Sequence, residues 1–527
     1  MKLSQYRLIL FAALFFVLFD NYSFFTNVLK VYPFAQNSYY VISTGVVLLS
    51  VLVLFFTLLS SRYTTKPLLI ITLMISSFTS YFMNTYRVII DDSMIRNTLQ
   101  TNIHESTDLF TIKLVVYVFL FGIFPSLLVY KAKIEYQIFG RELLAKIKTI
   151  ILAVLVMFIV IFAFSRFYTS FFREHKPLRY STNPTYWIYS IGHYIYATYN
   201  NGPIVLKKIG LDAKIVSSKD KRKIVIMVVG ESARWDRFSL NGYNRETNPL
   251  LKQEKAISFS NTFSCGTSTA SSVPCMFSMY DRKDYNYKKG ISTENVIDVI
   301  NRTNKVYILW RDNNSDSKGV ALRVDYEDYK IPQNNTMCKG ECRDVGMLVG
   351  LDKVIKKAQD KDILIVLHQM GNHGPAYYKR YPSKFEKFKP ACKTNQIEQC
   401  TQQEVSNAYD NAILYTDYFL SKVIDFLKPY SKENDTAMLY MSDHGESLGE
   451  GGVYLHGLPY FIAPEAQRHI GTVMWFGNNN IVDVKKLKSY SSDSFSQDNL
   501  FHTLLGIFDV KTKIYNPAMD ILNKARN

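Results

Sequence analysis

Three polar motifs in this sequence each follow directly on a short apolar run. Gly230-Glu231-Ser232-Ala233-Arg234 follows Ile224–Val229, and His368-Gln369-Met370-Gly371-Asn372-His373-Gly374-Pro375 begins where Ile363–Leu367 ends. Ser442-Asp443-His444-Gly445-Glu446 follows Ala437–Met441. Acidic residues and histidine beside glycines that let the backbone turn form the donor set of a hard-to-borderline metal ion. Glu231, Asp443 and His444 supply two carboxylates and an imidazole, one donor short of a tetrahedral zinc site. A fourth stretch, Cys265 to Cys275, crowds Thr267, Ser268, Thr269, Ser271 and Ser272 between two cysteines. A hydroxyl from this stretch completes the donor set, and contact with a cation would make an otherwise inert alcohol a nucleophile. His373 and His456 remain as donors beside a transferring group or as ligands of a second metal.

The elements that must position these groups alternate. Ile224–Val229, Val306–Trp310, Ile363–Leu367, Ala437–Met441 and Val473–Phe476 have the pattern of buried parallel strands. Helical stretches over 292–301, 345–358 and 402–428 separate them, so residues 221–527 form an α/β domain with a central, mostly parallel sheet. In such sheets ligands gather at the carboxyl ends of the strands, where all three motifs fall.

The N-terminal third is different in kind. Apolar segments at about 8–29, 40–60, 67–86, 112–130 and 149–168 each approach the ~20 residues needed to cross a bilayer. Residues 1–168 are therefore expected to be a five-helix transmembrane domain, with 87–111 as an outer loop. The 2–3 connection carries Arg62 and Lys66, and the 4–5 connection carries Lys131, Lys133, Arg141, Lys146 and Lys148. The 3–4 connection contains Asp91-Asp92 ahead of Arg96. Basic residues stay inside, which puts the N-terminus in the cytoplasm and everything after 168 outside. Asp20 and Asn21 interrupt the first span and are expected at the interface. Residues 169–220 form a tyrosine-rich bridge suited to an interfacial helix.

The six cysteines all lie between 265 and 400. An even set confined to one polar domain indicates disulfides in an oxidising compartment, agreeing with the charge argument from different residues. Spacing suggests the pairs Cys265–Cys275, Cys338–Cys342 and Cys392–Cys400, against reduced thiols or a second zinc site. The net charge of +17, from 62 basic and 45 acidic residues, suits an anionic membrane surface or a phosphorylated substrate. No compact basic helix or zinc-finger spacing supports a nucleic-acid partner. Asn97, Thr101 and Glu105 repeat every four residues and would share one face of a helix, which spacing alone leaves as a solvated stripe.

Together the motifs resemble the phosphoethanolamine transferases that modify lipid A. Gly-Glu-Ser-Ala-Arg, Cys-Gly-Thr-Ser-Thr-Ala…Val-Pro-Cys, His-Gln-Met-Gly-Asn-His-Gly-Pro and Ser-Asp-His-Gly-Glu-Ser carry the resemblance, which spans essentially the whole chain. It implies a multi-pass enzyme of the bacterial inner membrane with a periplasmic domain of alkaline phosphatase/sulfatase-like fold. It singles out Thr269 as nucleophile and implies zinc held by Glu231, Thr269, Asp443 and His444. It further implies that Asn97, Thr101, Glu105, Asn314, Ser315, Lys318, His373 and His456 bind the lipid head group. The donor would be phosphatidylethanolamine, the acceptor lipid A or lipopolysaccharide, and the enzyme a monomer among membrane lipids. His373 is the first choice to protonate the leaving diacylglycerol oxygen. Ser232 departs from the threonine common in the family, and Cys338 and Cys342 stand closer together than its usual pair. Transfer of phosphoethanolamine or glycerol phosphate to another acceptor is the nearest alternative. A non-catalytic membrane binding protein is the alternative from a different class, opposed by retention of all four zinc donors.

Overall fold

A computed structural model describes residues 2–100, 107–199, 205–216, 221–477 and 481–526. The chain packs as two compact units, residues 1–95 with 110–198, and residues 96–109 with 199–527.

The first unit opens on α1 (Gln5–Phe15), a π-helical turn, and α2 (Tyr22–Val31). There follow α3 (Phe34–Leu59), α4 (Thr65–Tyr86), α5 (Ile112–Lys131) and α6 (Phe139–Ala163), each long and apolar enough to cross a bilayer. The α1–α2 pair passes the same test but is bent by 59°, so the described residues hold four such helices, or five if the pair is one span. The bend falls at Asn21, whose side chain donates to Phe16 O at 2.9 Å and Asn183 O at 2.6 Å and accepts from Asn183 N at 2.9 Å. Side-chain bonds there replace part of the helical ladder. Asp20 and Asn21 are buried inside this unit. α6 starts at Phe139 rather than near 149 because its basic first turns continue the helix. Its Lys146 Nζ donates to the Leu58 and Ser60 carbonyls at 3.2 and 3.0 Å, capping the end of α3.

The second unit is built on a seven-stranded sheet. In chain order its strands are β1 (Lys223–Gly230), β2 (Ile257–Ser258), β3 (Val306–Asp312), β4 (Asp325–Asp328), β5 (Asp362–His368), β6 (Asp435–Ser442) and β7 (Thr472–Phe476). In space the order is β2-β7-β6-β1-β5-β3-β4. β1 is central and runs parallel to both β5 and β6. Its sequence Lys-Ile-Val-Ile-Met-Val-Val-Gly is buried throughout, as a two-sided central strand requires. β7 corrects the sequence reading: it is antiparallel to β6. A continuous apolar run shows that a strand is buried on both faces and carries no record of its direction. Two edge strands escaped the sequence reading because β2 is a dipeptide and β4, Asp-Tyr-Glu-Asp, is polar.

Helices close both faces. α7 (Thr269–Met276) and α8 (Gln402–Leu427) are the two that matter for the site, and Thr401 with Glu404 forms a capping box at the start of α8. Three disulfides join Cys265–Cys275, Cys338–Cys342 and Cys392–Cys400, the pairs that spacing suggested.

His502 lies on α9 (Asp498–Ile507), and its Nδ1 accepts the Asn516 backbone N–H at 3.1 Å. That bond requires the neutral ring, and burial holds the imidazole down at about 4. The unfolded chain therefore binds a proton that the folded one refuses between the two values, so stability is lost as pH falls through that window. His502→Gln keeps an acceptor and cannot charge. The gap between wild-type and variant urea midpoints is expected to shift in favour of the variant on going from about pH 7.5 to about pH 5. A gap that does not move with pH would contradict this.

Candidate active site

Two strand ends and one helix start bring the four candidate ligands together. β1 ends at Gly230, where a Cβ would meet the Tyr440 ring at 2.5 Å, so only glycine lets Glu231 turn off the sheet there. β6 ends at Ser442 and releases Asp443 and His444, both fully buried. The following Gly445 would drive a Cβ to 2.0 Å from the Ala466 carbonyl oxygen, so the turn carrying the pair has no room for a side chain. Thr269 is the first residue of α7, behind Ser268 in extended conformation.

These four side chains meet. Thr269 Oγ1 donates to Glu231 Oε2 at 3.2 Å and lies 3.5 Å from His444 Nε2. His444 Nε2 is 3.2 Å from Asp443 Oδ2 and 3.6 Å from Glu231 Oε1. Ligand atoms of Glu231, Asp443 and His444 all lie within 4.8 Å of one another. His444 Nδ1 faces its own Gly445 carbonyl at 2.8 Å, which makes Nδ1 the donor and turns the Nε2 lone pair into the cluster.

The electrostatics ask for a cation. Burial pushes both carboxylates up, yet Glu231 is held well below the usual range because the His444, His373 and His456 rings outweigh it. Asp443 is pushed up to about 6 by burial and by the neighbouring Glu231 charge. Burial opposes charging of His444, but Asp443 and Glu231 outweigh it and raise the imidazole. Asp443 Oδ1 accepts from Ser232 N at 3.1 Å and His444 N at 2.7 Å, whereas buried Oδ2 has no hydrogen-bond partner. An orphaned carboxylate oxygen beside a second carboxylate, an imidazole lone pair and an alcohol fits a divalent metal. Zinc suits this mixed nitrogen and oxygen set.

The remaining candidates divide. Asn314 Nδ2 donates to Glu231 Oε2 and to Gln369 O, both at 2.9 Å, so it braces a cluster ligand. Ser315 is buried next to it, its N–H on Asn314 Oδ1 at 2.5 Å. His456 stacks 4.1 Å from His444, and His373 lies 5.9 Å from His456, measured between ring centroids. Lys318 is buried along its side chain and donates to the Gln100 carbonyl at 3.2 Å. Asn97 sits on the helix Asp92–Gln100, while Thr101 and Glu105 lie outside the described residues.

Several supporting groups were not anticipated. Glu446 is fully buried, accepting from Tyr377 Oη at 2.7 Å and meeting His456 Nδ1 at 2.8 Å. Asp344 accepts from Asn313 Nδ2 and from the Met370 and Gly371 N–H groups, pinning the turn before His373. Gln497 bridges the two halves of the cluster. Its Nε2 donates to the Ser442 and Asp443 carbonyls at 2.8 and 2.7 Å, and its Oε1 accepts from Cys265 N at 2.6 Å. Gln497→Ala is expected to cut activity by about 10–100-fold, as loss of a supporting bond does, with little change in melting temperature. Unchanged activity would show that the two loops hold their spacing without it. Glu446 follows a metal-like Asp-His pair and had a visible signal; Gln497 and Asp344 are ordinary polar residues whose role exists only in three dimensions. His368 and His469 have structural partners: His368 Nδ1 meets Asp312 at 2.9 Å, and His469 stacks between Trp235 and Phe263.

Comparison with known proteins agrees with this site. Residues 223–510 match the sulfatase family, and residues 48–199 match the family described as phosphoethanolamine transferase EptA/EptB. Phosphatidylethanolamine transferase Mcr-2 of Escherichia coli is 44% identical over 97% of this chain and 96% of its own. Phosphoethanolamine transferase EptA of Escherichia coli strain K12 is 38% identical over 98% of this chain and 96% of its own. The structure of lipooligosaccharide phosphoethanolamine transferase A from Neisseria meningitidis superposes with a TM-score of 0.95 at 35% identity, covering 100% of both chains. With four donors converging from two strand ends and a helix start, and relatives matching over nearly the whole chain, this chain is a member of the EptA/Mcr family of phosphoethanolamine transferases.

Proposed function

We propose that the protein moves phosphoethanolamine from phosphatidylethanolamine to a phosphate of lipid A in two steps through phospho-Thr269. The convergence of Thr269 Oγ1 on Glu231 and His444 carries this reading. Glu231, Thr269, Asp443 and His444 would hold one zinc ion, which when bound supplies Lewis acidity and lowers the pKa of an attached hydroxyl. In the first step Thr269 Oγ gives up its proton to solvent and forms a bond to the donor phosphorus, the phosphorus–oxygen bond to diacylglycerol breaks, and His373 gives that oxygen a proton. In the second step an acceptor phosphate oxygen forms the new bond and Thr269 Oγ leaves. Glu446 holds His456 by its Nδ1, so the opposite ring nitrogen is the one assigned to the head group. Asn97, Thr101, Glu105, Ser315 and Lys318 are assigned to the head group, with Lys318 as a point charge for phosphate, while Asn314 braces Glu231.

The membrane half is assigned five spans, with the bent α1–α2 pair as the first. The N-terminus then lies in the cytoplasm and the catalytic domain in the periplasm, on a protein of the bacterial inner membrane. Domain limits of 1–168, 169–220 and 221–527 go with this topology. The test is mass spectrometry of lipid A from cells with and without the protein, paired with release of diacylglycerol from labelled phosphatidylethanolamine. Added phosphoethanolamine together with that release supports the scheme; diacylglycerol release with unmodified lipid A would assign a different acceptor.

A further inference from the structure

Behind the site lies a cavity of about 470 Å³ within the second unit, a size that suits a small polar ligand. Five cations line it, Lys330, Lys339, Arg343, Lys379 and Arg380, against two carboxylates, Asp108 and Glu341. Both carboxylates are already engaged. Asp108 accepts from Lys379 Nζ and from Arg380 Nη2, and Glu341 accepts from Arg380 Nη1 at 2.7 Å. Lys330 Nζ lies 3.1 Å from Asp328. Arg343 donates through Nη1 to the Lys379 carbonyl at 2.6 Å and stands 3.9 Å from Glu341. Lys339, exposed at the tip of the Cys338–Cys342 hairpin, has no hydrogen-bonding or ionic partner among the described residues. The cavity therefore has an excess of positive charge centred on Lys339 and Arg343.

Its wall is shared with the catalytic cluster. Asn313 and Met370 line the cavity, and their chain neighbours Asn314 and Gln369 belong to the other side, where Asn314 Nδ2 joins Gln369 O to Glu231. Each of these two lining residues is therefore the chain neighbour of a residue that holds the cluster. From that wall the contacts run on to the nucleophile, Asn314 Nδ2 lying 2.9 Å from Glu231 Oε2 and Glu231 Oε2 lying 3.2 Å from Thr269 Oγ1.

We propose that this cavity is a subsite for a phosphomonoester on the sugar of the acceptor lipid, held by Lys339 and Arg343 while another oxygen of the acceptor reaches phospho-Thr269. The inference rests on the transferase reading above and adds where the acceptor is gripped. Phosphate dianions and paired basic side chains form strong charge-assisted bonds, and a neutral sugar gains nothing from the same cations.

The test titrates the full-length, metal-loaded protein in detergent with glucose 1-phosphate, inorganic phosphate and glucose. Glucose 1-phosphate is expected to bind more tightly than inorganic phosphate, and glucose to give no signal. Lys339→Glu, on an exposed hairpin tip, and Arg343→Gln are each expected to weaken glucose 1-phosphate binding by about tenfold. The same variants are expected to raise KM for the acceptor lipid by about tenfold, with kcat within about twofold of wild type. Unchanged glucose 1-phosphate affinity in Lys339→Glu overturns the proposal. So does inorganic phosphate binding as tightly as the sugar phosphate, which would make this a site for the free ion. Diacylglycerol release without acceptor separates the two levels. Its absence in wild type sinks the transfer scheme, whereas normal release with unmoved acceptor KM in both variants sinks the subsite alone.

Discussion

Thr269→Ala is expected to lower diacylglycerol release and transfer together by at least ~10³-fold, the scale on which removing a nucleophile acts. The side chain is small and sits at the start of α7, so the substitution takes away one methyl and one hydroxyl. The hydroxyl donates to Glu231 and lies beside His444; neither loses a bond on which the sheet depends, since Glu231 keeps Ser232 Oγ at 2.5 Å and Asn314 Nδ2 at 2.9 Å. Melting temperature and circular dichroism are therefore expected to stay close to wild type. Thr269→Ser restores an oxygen without the methyl and is expected to recover part of the activity. Intact-mass measurement after quenching wild-type protein with donor is expected to show phosphoethanolamine on Thr269, and none on the alanine variant. Full activity in Thr269→Ala would move the nucleophile to another oxygen.

Much of this site was legible in the linear chain because its chemistry is written at strand ends. Gly230-Glu231, the stretch leading to His373 and Ser442-Asp443-His444 each follow an apolar run that had to be a buried strand, and buried strands of an α/β sheet deliver their next residues to one edge. What stayed hidden follows from the same physics. Asn314 was assigned to the substrate by family resemblance, and spacing could not show that its amide spans Glu231 and the Gln369 carbonyl. Gln497 lies 232 residues from Cys265, whose N–H it accepts, so nothing local marks it. Composition told a membrane half from a globular half. It could not show Asp108 joining Lys379 and Arg380, or Arg96 lying over the Tyr287 ring at 3.8 Å.

Strand direction shows the limit most plainly. Val473–Phe476 has the same apolar character as its parallel neighbours, and only its pairing with β6 reveals that it runs the other way. The difference matters for the site, because β7 delivers its carboxyl end away from the cluster. That is why no candidate ligand follows it, although an equally buried run precedes each of the three motifs.

Asp443→Asn separates the cost of the buried charges from their use. At neutral pH Asp443 and Glu231 place two carboxylates in one buried cluster, and Asp443 is pushed up to about 6 by burial and by Glu231. An acid whose folded value lies above its unfolded value stabilises the fold when protonated and loses that contribution as pH rises through the window between them. Above about pH 6 the metal-free wild type therefore carries a destabilising charge that asparagine removes. The metal-free variant is expected to melt higher than metal-free wild type at about pH 7.5, with the difference shrinking toward about pH 5. Metal reverses the order. The variant puts an amide where Oδ2 now has no partner, loses a negative ligand, and presents N–H groups or a weak carbonyl to the cation. Zinc content after dialysis is expected to fall below about a tenth of wild type, and wild type alone to gain melting temperature on adding zinc. Transfer is expected to drop by at least ~10²-fold. A variant that retains zinc stoichiometrically would remove Asp443 from the ligand set, and a metal-free variant no more stable than metal-free wild type would show that the paired carboxylates cost the fold nothing.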